Sequence, residues 1–209
     1  MHKKLLELAF LIFFLTLWFS SWLNKVYWVE FVSLLGLFGV GYAFKSSLRW
    51  KLTMGGLVLA ISLPLVTLTL GKALYWVTVF VALPFYYLGF LIKLSKTPLK
   101  SLSVSALMFV PFVVPFHLNF YVWAAIALYW LVLGVAGGYF HSSYLEVLMP
   151  PLVVYNLSLV ISLGMAATYT LTEDQLLKVA ALVLLLPFYP VGAIVTMALK
   201  GNRKTTHST

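Results

Sequence analysis

The sequence holds no cysteine and only five Asp and Glu among 209 residues. Without thiols there is no disulfide framework, thiolate zinc site, iron–sulfur cluster or cysteine nucleophile. Hard divalent cations need clustered carboxylate oxygens, and Glu7, Glu30 and Glu146 are scattered singly while Glu173 and Asp174 form only a pair. The H-E-x-x-H, G-x-S-x-G and Walker patterns are missing as well. No metal and no cofactor is expected. Charge of either sign is scarce at 9% of residues, whereas an ordinary soluble domain carries about 25%.

Apolar residues fill the space instead: 63% of the chain is hydrophobic and the mean hydropathy is +1.02. A soluble domain of this length buries only about two-thirds of its surface, too little to hide so much apolar area. The composition therefore reads as an all-α integral membrane protein. A bilayer core needs roughly 20 apolar residues per helix, and eight runs of about that size follow one another. They are Leu5 to Leu23, Val26 to Phe44, Leu52 to Leu70, Leu74 to Ile92, Leu102 to Phe116, Leu118 to Phe140, Val147 to Tyr169 and Leu176 to Leu199. The fifth is short and carries Pro111 and Pro115, and a tight turn at His117 to Asn119 separates it from the sixth.

The net charge of +9 resembles a nucleic-acid signature only until its residues are placed. Lys3, Lys4, Lys45, Arg49, Lys51, Lys93, Lys96, Lys100, Lys200, Arg203 and Lys204 fall at one set of ends, leaving Lys25, Lys72 and Lys178 for the other. By the positive-inside rule both termini lie in the cytoplasm of a multi-pass cell-membrane protein. The expected partners are membrane lipids, with anionic head groups at the cytoplasmic face, and a protein partner in a membrane complex; nucleic acid is excluded.

The chain also matches itself. Leu23-Asn24 recurs as Leu118-Asn119, Gly41-Tyr42 as Gly138-Tyr139, Ser46-Ser47 as Ser142-Ser143, and Leu83-Pro84-Phe85-Tyr86 with Gly89 as Leu186-Pro187-Phe188-Tyr189 with Gly192. The matches keep their order, which predicts two four-helix repeats, residues 1–100 and 101–200, followed by a cytoplasmic tail at 201–209. Four spans is an even number, so the repeats would be parallel and related by a pseudo-two-fold axis along the membrane normal.

Charged residues at membrane depth are costly and mark candidate sites. Glu7 and Glu30 each lie about one helical turn into a run, a position suited to snorkelling or to pairing with a Lys. The two equivalent loops, Lys45 to Lys51 and His141 to Glu146, suggest a polar vestibule in which Glu146 pairs with Lys51 or Arg49 beside His141. Lys45, Arg49, Lys51, His141, Glu146 and Asn156 are thus the expected contacts for a solute or head group. Pro84 and Pro187 are the expected kinks, sharing one bent shape. Thr172-Glu173-Asp174 reads as a helix start. Eight spans with two equivalent cytoplasmic loops are similar in layout to membrane prenyltransferases with Asp-rich loops, but neither loop here holds an Asp, which excludes that assignment.

The function expected from these features is that of a transporter- or permease-like protein binding or passing a small or lipidic solute between duplicated halves. One alternative is a non-catalytic scaffold or accessory subunit of a membrane complex. Another is a lipid-modifying enzyme using His141, Glu146 and Ser142 or Ser143.

Overall fold

The computed structural model describes residues 2–70, 77–113, 119–141, 143–168, 170 and 172–206, with helical backbone alone at 63–70, 77–80 and 201–206. The expected run ends at Leu74, Phe116, Leu118 and Tyr169, together with Lys72, Pro115, His117 and Ser142, lie outside the described residues. Every described element is helical: α1 His2–Asn24, α2 Tyr27–Ala43, α3 Leu48–Leu70, α4 Val77–Leu94, α5 Pro98–Val113, α6 Phe120–Phe140, α7 Tyr144–Val147, α8 Met149–Ala167, α9 Glu173–Leu185 and α10 Phe188–Thr206. Four stretches are long and apolar enough to cross a bilayer: His2–Asn24, Phe120–Phe140, Tyr144–Ala167 and Glu173–Lys200. Tyr27–Ala43, Val81–Leu94 and Pro98–Val113 are shorter apolar helices. Contacts divide the chain into two compact units, Met1–Leu94 and Ser95–Thr209.

In the first unit α2 packs on α1 and α4. The α1–α2 turn is closed by Lys25 in the left-handed region (φ 55), and the amide of Val26 returns to the Ser21 carbonyl at 2.9 Å, so the last carbonyls of α1 are satisfied without a glycine. Helices in lipid gain little from apolar burial against each other and approach through small residues. Gly41 faces the Tyr86 carbonyl and Gly89 faces the Phe38 carbonyl so closely that a Cβ at either would overlap backbone. Lys93 then closes α2, its Nζ donating to the Tyr42 carbonyl at 2.6 Å and to that of Ala43 at 3.2 Å. A cation suits the negative end of a helix dipole.

The second unit repeats this device on α6 and α10. Gly134 faces the Tyr189 carbonyl and Gly192 that of Leu131, again with no room for a Cβ, and Lys200 donates to the Tyr139 carbonyl at 3.4 Å. The sequence match sets Gly41 against Gly138. In contact terms its counterpart is Gly134, one turn earlier, because Tyr86 and Tyr189 present their carbonyls to Gly41 and Gly134, whereas Gly138 meets Ala193 and Thr196.

Prolines act differently in different helices. Pro111 has no N–H for the Leu107 carbonyl, and the Tyr129 hydroxyl donates to that carbonyl at 2.9 Å while Trp130 Nε1 donates to Met108 at 3.1 Å. Pro84 lies inside the continuous α4. Pro187 instead separates α9 from α10, the Val183 carbonyl accepting the Leu186 amide at 3.2 Å in a tightened turn. The two strings thus differ locally: Pro190 removes a second donor within four residues of Pro187, and α4 has no such second proline. Thr172 does cap α9, in a full capping box with Gln175.

The glycine contacts predict the response to added methyl groups. Gly41→Ala and Gly134→Ala each cost about 1–3 kcal/mol through overpacking, whereas Gly39→Ala, whose Cβ would meet nothing within 4 Å, leaves stability unchanged or slightly raised. Thermal unfolding of the three variants in one detergent measures the difference.

Candidate functional site

Each unit gathers some of its buried polar groups around a tyrosine that ends the Leu-Pro-Phe-Tyr string. Tyr86 and Tyr189 are both fully buried. They sit one turn or less past a proline, on helix faces brought against α2 and α6 by the glycine contacts; the Tyr86 hydroxyl reaches a polar group on α1 and that of Tyr189 reaches the end of α6.

In the first unit that group is Glu7. Its side chain is 1% exposed and its partner Lys51 is 0% exposed, which decides against snorkelling for Glu7. Oε1 accepts from Lys51 Nζ at 2.7 Å, from the Tyr86 hydroxyl at 2.7 Å and from Ser46 Oγ at 3.0 Å, while Oε2 accepts from Trp50 Nε1 at 3.2 Å. Lys51 also donates to the Gly41 carbonyl at 3.1 Å and lies 4.7 Å from the centre of the Tyr86 ring. Ser47 accepts from the Trp50 amide and starts α3, so the two adjacent serines divide the work: one caps a helix and the other donates to the carboxylate. The carboxylate of Lys51 is Glu7, contributed by α1 of the same unit, and it already gathers four donors.

In the second unit the tyrosine meets a histidine. His141 Nε2 and the Tyr189 hydroxyl are 2.6 Å apart, with Gly137 leaving space for both rings. Burial holds the imidazole below its ordinary titration range, opposed in part by the Glu146 carboxylate. Glu146 is itself buried, and its Oε1 accepts from the Lys96 amide at 2.9 Å and from Ser95 Oγ at 3.3 Å. Ser143 accepts from the Glu146 amide and caps α7, which spends its hydroxyl on the backbone rather than on His141. One residue beyond Lys96, Thr97 Oγ1 is buried with no hydrogen-bond partner, and so is Oγ of Ser101 one turn further along α5. Ser101 is 0% exposed.

The remaining expected contacts are dispersed. Lys45 and Arg49 are exposed, and Asn156 is buried in α8, ten residues and so about 15 Å beyond Glu146 along the helix. Among the described residues no group of three His, Asp or Glu could hold a metal ion. Compared with protein families, curated proteins and solved structures, the chain matches none at a significant level.

The two clusters differ in chemistry. Glu7 is a buried anion answered by a cation and three further donors, an arrangement suited to fastening helices. The His141–Tyr189–Glu146 group combines a neutral base, a phenol and a carboxylate, and the segment that follows Lys96 adds two buried hydroxyls that have no partner. Tyr86, Tyr189, Ser46, Trp50, Thr97 and Ser101 escaped the sequence reading of the site. The tyrosines carried a signal, since each closes the longest repeated string, whereas nothing in the sequence marks the hydroxyls of Thr97 and Ser101 as buried.

Removing one partner of a buried pair leaves the other charge uncompensated, a loss of about 3–5 kcal/mol. Lys51→Met and Glu7→Gln are each expected to fall in that range, and the double variant to cost much less than their sum, as unfolding of all four proteins in a double-mutant cycle measures. His141 supplies a pH test. Its folded form resists a proton that the unfolded chain accepts near pH 6.5, so its contribution is complete above that pH and is lost as the pH falls below it. Unfolding midpoints between pH 7.5 and pH 5.5 should decline for the native protein and flatten in His141→Phe, with both pH limits set about one unit either side of the ordinary imidazole value.

Proposed function

We propose that this protein is a permease-like, multi-pass membrane protein that binds or passes a small or lipidic solute, with the His141–Glu146 end of the second unit as its contact point. The observation that carries the reading is the pair of buried hydroxyls, Thr97 and Ser101, lacking partners next to the segment that holds Glu146. A buried polar group without a hydrogen bond costs about 1–3 kcal/mol, a cost that a bound polar solute removes. In the first unit the corresponding space is closed by Glu7 and Lys51.

The same reading takes the chain as eight passes in two duplicated four-helix repeats, with both termini cytoplasmic. Support comes from the Gly41–Gly89 and Gly134–Gly192 contacts, the Lys93 and Lys200 helix closures, and the matched placement of Tyr86 and Tyr189. Exposed Lys45 and Arg49 then face anionic head groups, each basic residue near such a surface contributing about 1 kcal/mol. A second reading, an accessory subunit of a membrane complex, is favoured by the completeness of the Glu7 cluster, which has the makings of a structural clamp.

Melting shifts separate the two. A panel of polar solutes and anionic lipids added to the purified protein should include a class that raises the melting temperature, since a ligand at 100 times its Kd stabilises by about 2.7 kcal/mol. The shift should shrink in Glu146→Gln and in Ser101→Ala. Absence of any shift, together with a protein partner retained at fixed stoichiometry, would sink the permease reading in favour of the subunit.

A further inference from the structure

Glu30 stands apart from both clusters. It lies in the first turn of α2 and is 1% exposed, with Oε2 buried and without a hydrogen-bond partner. Gly41, the residue of α2 that meets the Lys51–Tyr86 group, is eleven positions away, which places Glu30 about 16 Å from that group along the helix. The ionisable groups on the neighbouring helices, His2, Lys3, Lys4 and Glu7 on α1 and Tyr86, Tyr87 and Lys93 on α4, belong to that far end. At the near end the described charged side chain is Lys25, which is exposed.

The hydroxyls that could have served Glu30 are spent elsewhere. Ser33 donates to the main-chain carbonyl of Glu30 at 2.7 Å, and Ser21, across the α1–α2 turn, donates to the Trp18 carbonyl at 2.8 Å. Glu7 and Glu30 are thus opposites: one carboxyl with four donors, the other with an oxygen that none reaches. Position near the α2 N-terminus favours an anion by about 0.3–1 kcal/mol. Leaving an ionised carboxylate buried without a partner costs several kcal/mol, so desolvation outweighs the helix dipole. A hard cation would need several oxygens in one place, and Glu30 is the one carboxyl described at this end.

We infer that Glu30 is a proton-binding site inside α2, holding its carboxyl in the acid form and exchanging that proton with the aqueous phase at the Lys25 end. This inference does not rest on the solute reading; a protein that binds no solute would still carry the site. It adds a class of ligand, the proton, that neither cluster requires.

Carbodiimide chemistry reads out the acid form. Dicyclohexylcarbodiimide takes the carboxyl proton on nitrogen while the carboxylate oxygen attacks its central carbon, and the resulting O-acylisourea rearranges to a stable N-acylurea. The full chain in its own membranes is treated at neutral pH, digested and analysed by mass spectrometry, and the protonated-carboxyl carbonyl band is followed in parallel by infrared spectroscopy. The expected result is N-acylurea on Glu30 and none on Glu7, with loss of the infrared band in Glu30→Gln. Label on Glu7 instead, an unlabelled Glu30, or a band that survives Glu30→Gln overturns the inference. Protection of Glu30 by added sodium at constant pH also overturns it, assigning the site to a metal cation rather than to a proton.

Discussion

The ion pair between Glu7 and Lys51 is the interaction on which the first unit depends. Neither charge is tolerable alone in a medium that solvates ions poorly, and the pair joins segments far apart in sequence: α1, the Ser46–Trp50 segment, α3 and, through Tyr86, α4. Apolar contacts between helices could be exchanged for lipid contacts at little cost. The Glu7 donors could not, because each would leave a bare charge or an unmet oxygen. The pair therefore selects one register for α1 against α4, and the glycine contacts at Gly41 and Gly89 permit the close approach which that register requires.

The second unit also holds a buried tyrosine and close glycine contacts, and among the described residues that tyrosine meets a histidine rather than an ion pair. Ser101 is buried on α5, and Tyr189 pairs with His141 through a hydrogen bond between neutral groups. A neutral pair demands less of its surroundings, which leaves Ser101 and Thr97 without partners at no prohibitive cost. The first unit thus has an end whose carboxylate is held by four donors, and the second an end with spare hydrogen-bonding capacity. That asymmetry directs attention to the second unit for binding and to the first for stability.

Helices were legible in the sequence because hydropathy runs and their polar punctuation are local properties; the ends at Asn24, Ala43 and Phe140 fall where Lys25, Lys45 and His141 interrupt the runs. Partners were not legible. Lys51 had several carboxylates to choose from, and only packing reveals that Glu7, forty-four residues earlier, lies against it. Position in a run left Glu7 open to snorkelling or to pairing with a Lys, since amphipathic depth says how far a residue lies from water but not which way it faces. The register of α2 and α6 slipped by one turn for a related reason: Gly-Tyr pairs mark the helix ends at Tyr42 and Tyr139, while close contact is made by whichever glycine faces the carbonyl of the buried tyrosine. Pro187 differed from Pro84 because its effect depends on Pro190, a context that matching the two strings does not weigh.

Lipid also changes what an unsatisfied group means. In water-soluble domains a stray hydroxyl borrows a solvent hydrogen bond at the surface, but inside a membrane the fold must answer its own polar atoms. This chain does so with some economy: Tyr129 and Trp130 answer the carbonyls near Pro111, Lys93 and Lys200 answer helix ends, and four donors answer Glu7. Against that background the atoms left over carry information. Oε2 of Glu30 and the hydroxyls of Thr97 and Ser101 are places where the architecture does not account for its own polarity. A proton at the first and a solute at the other two are the additions that would complete it.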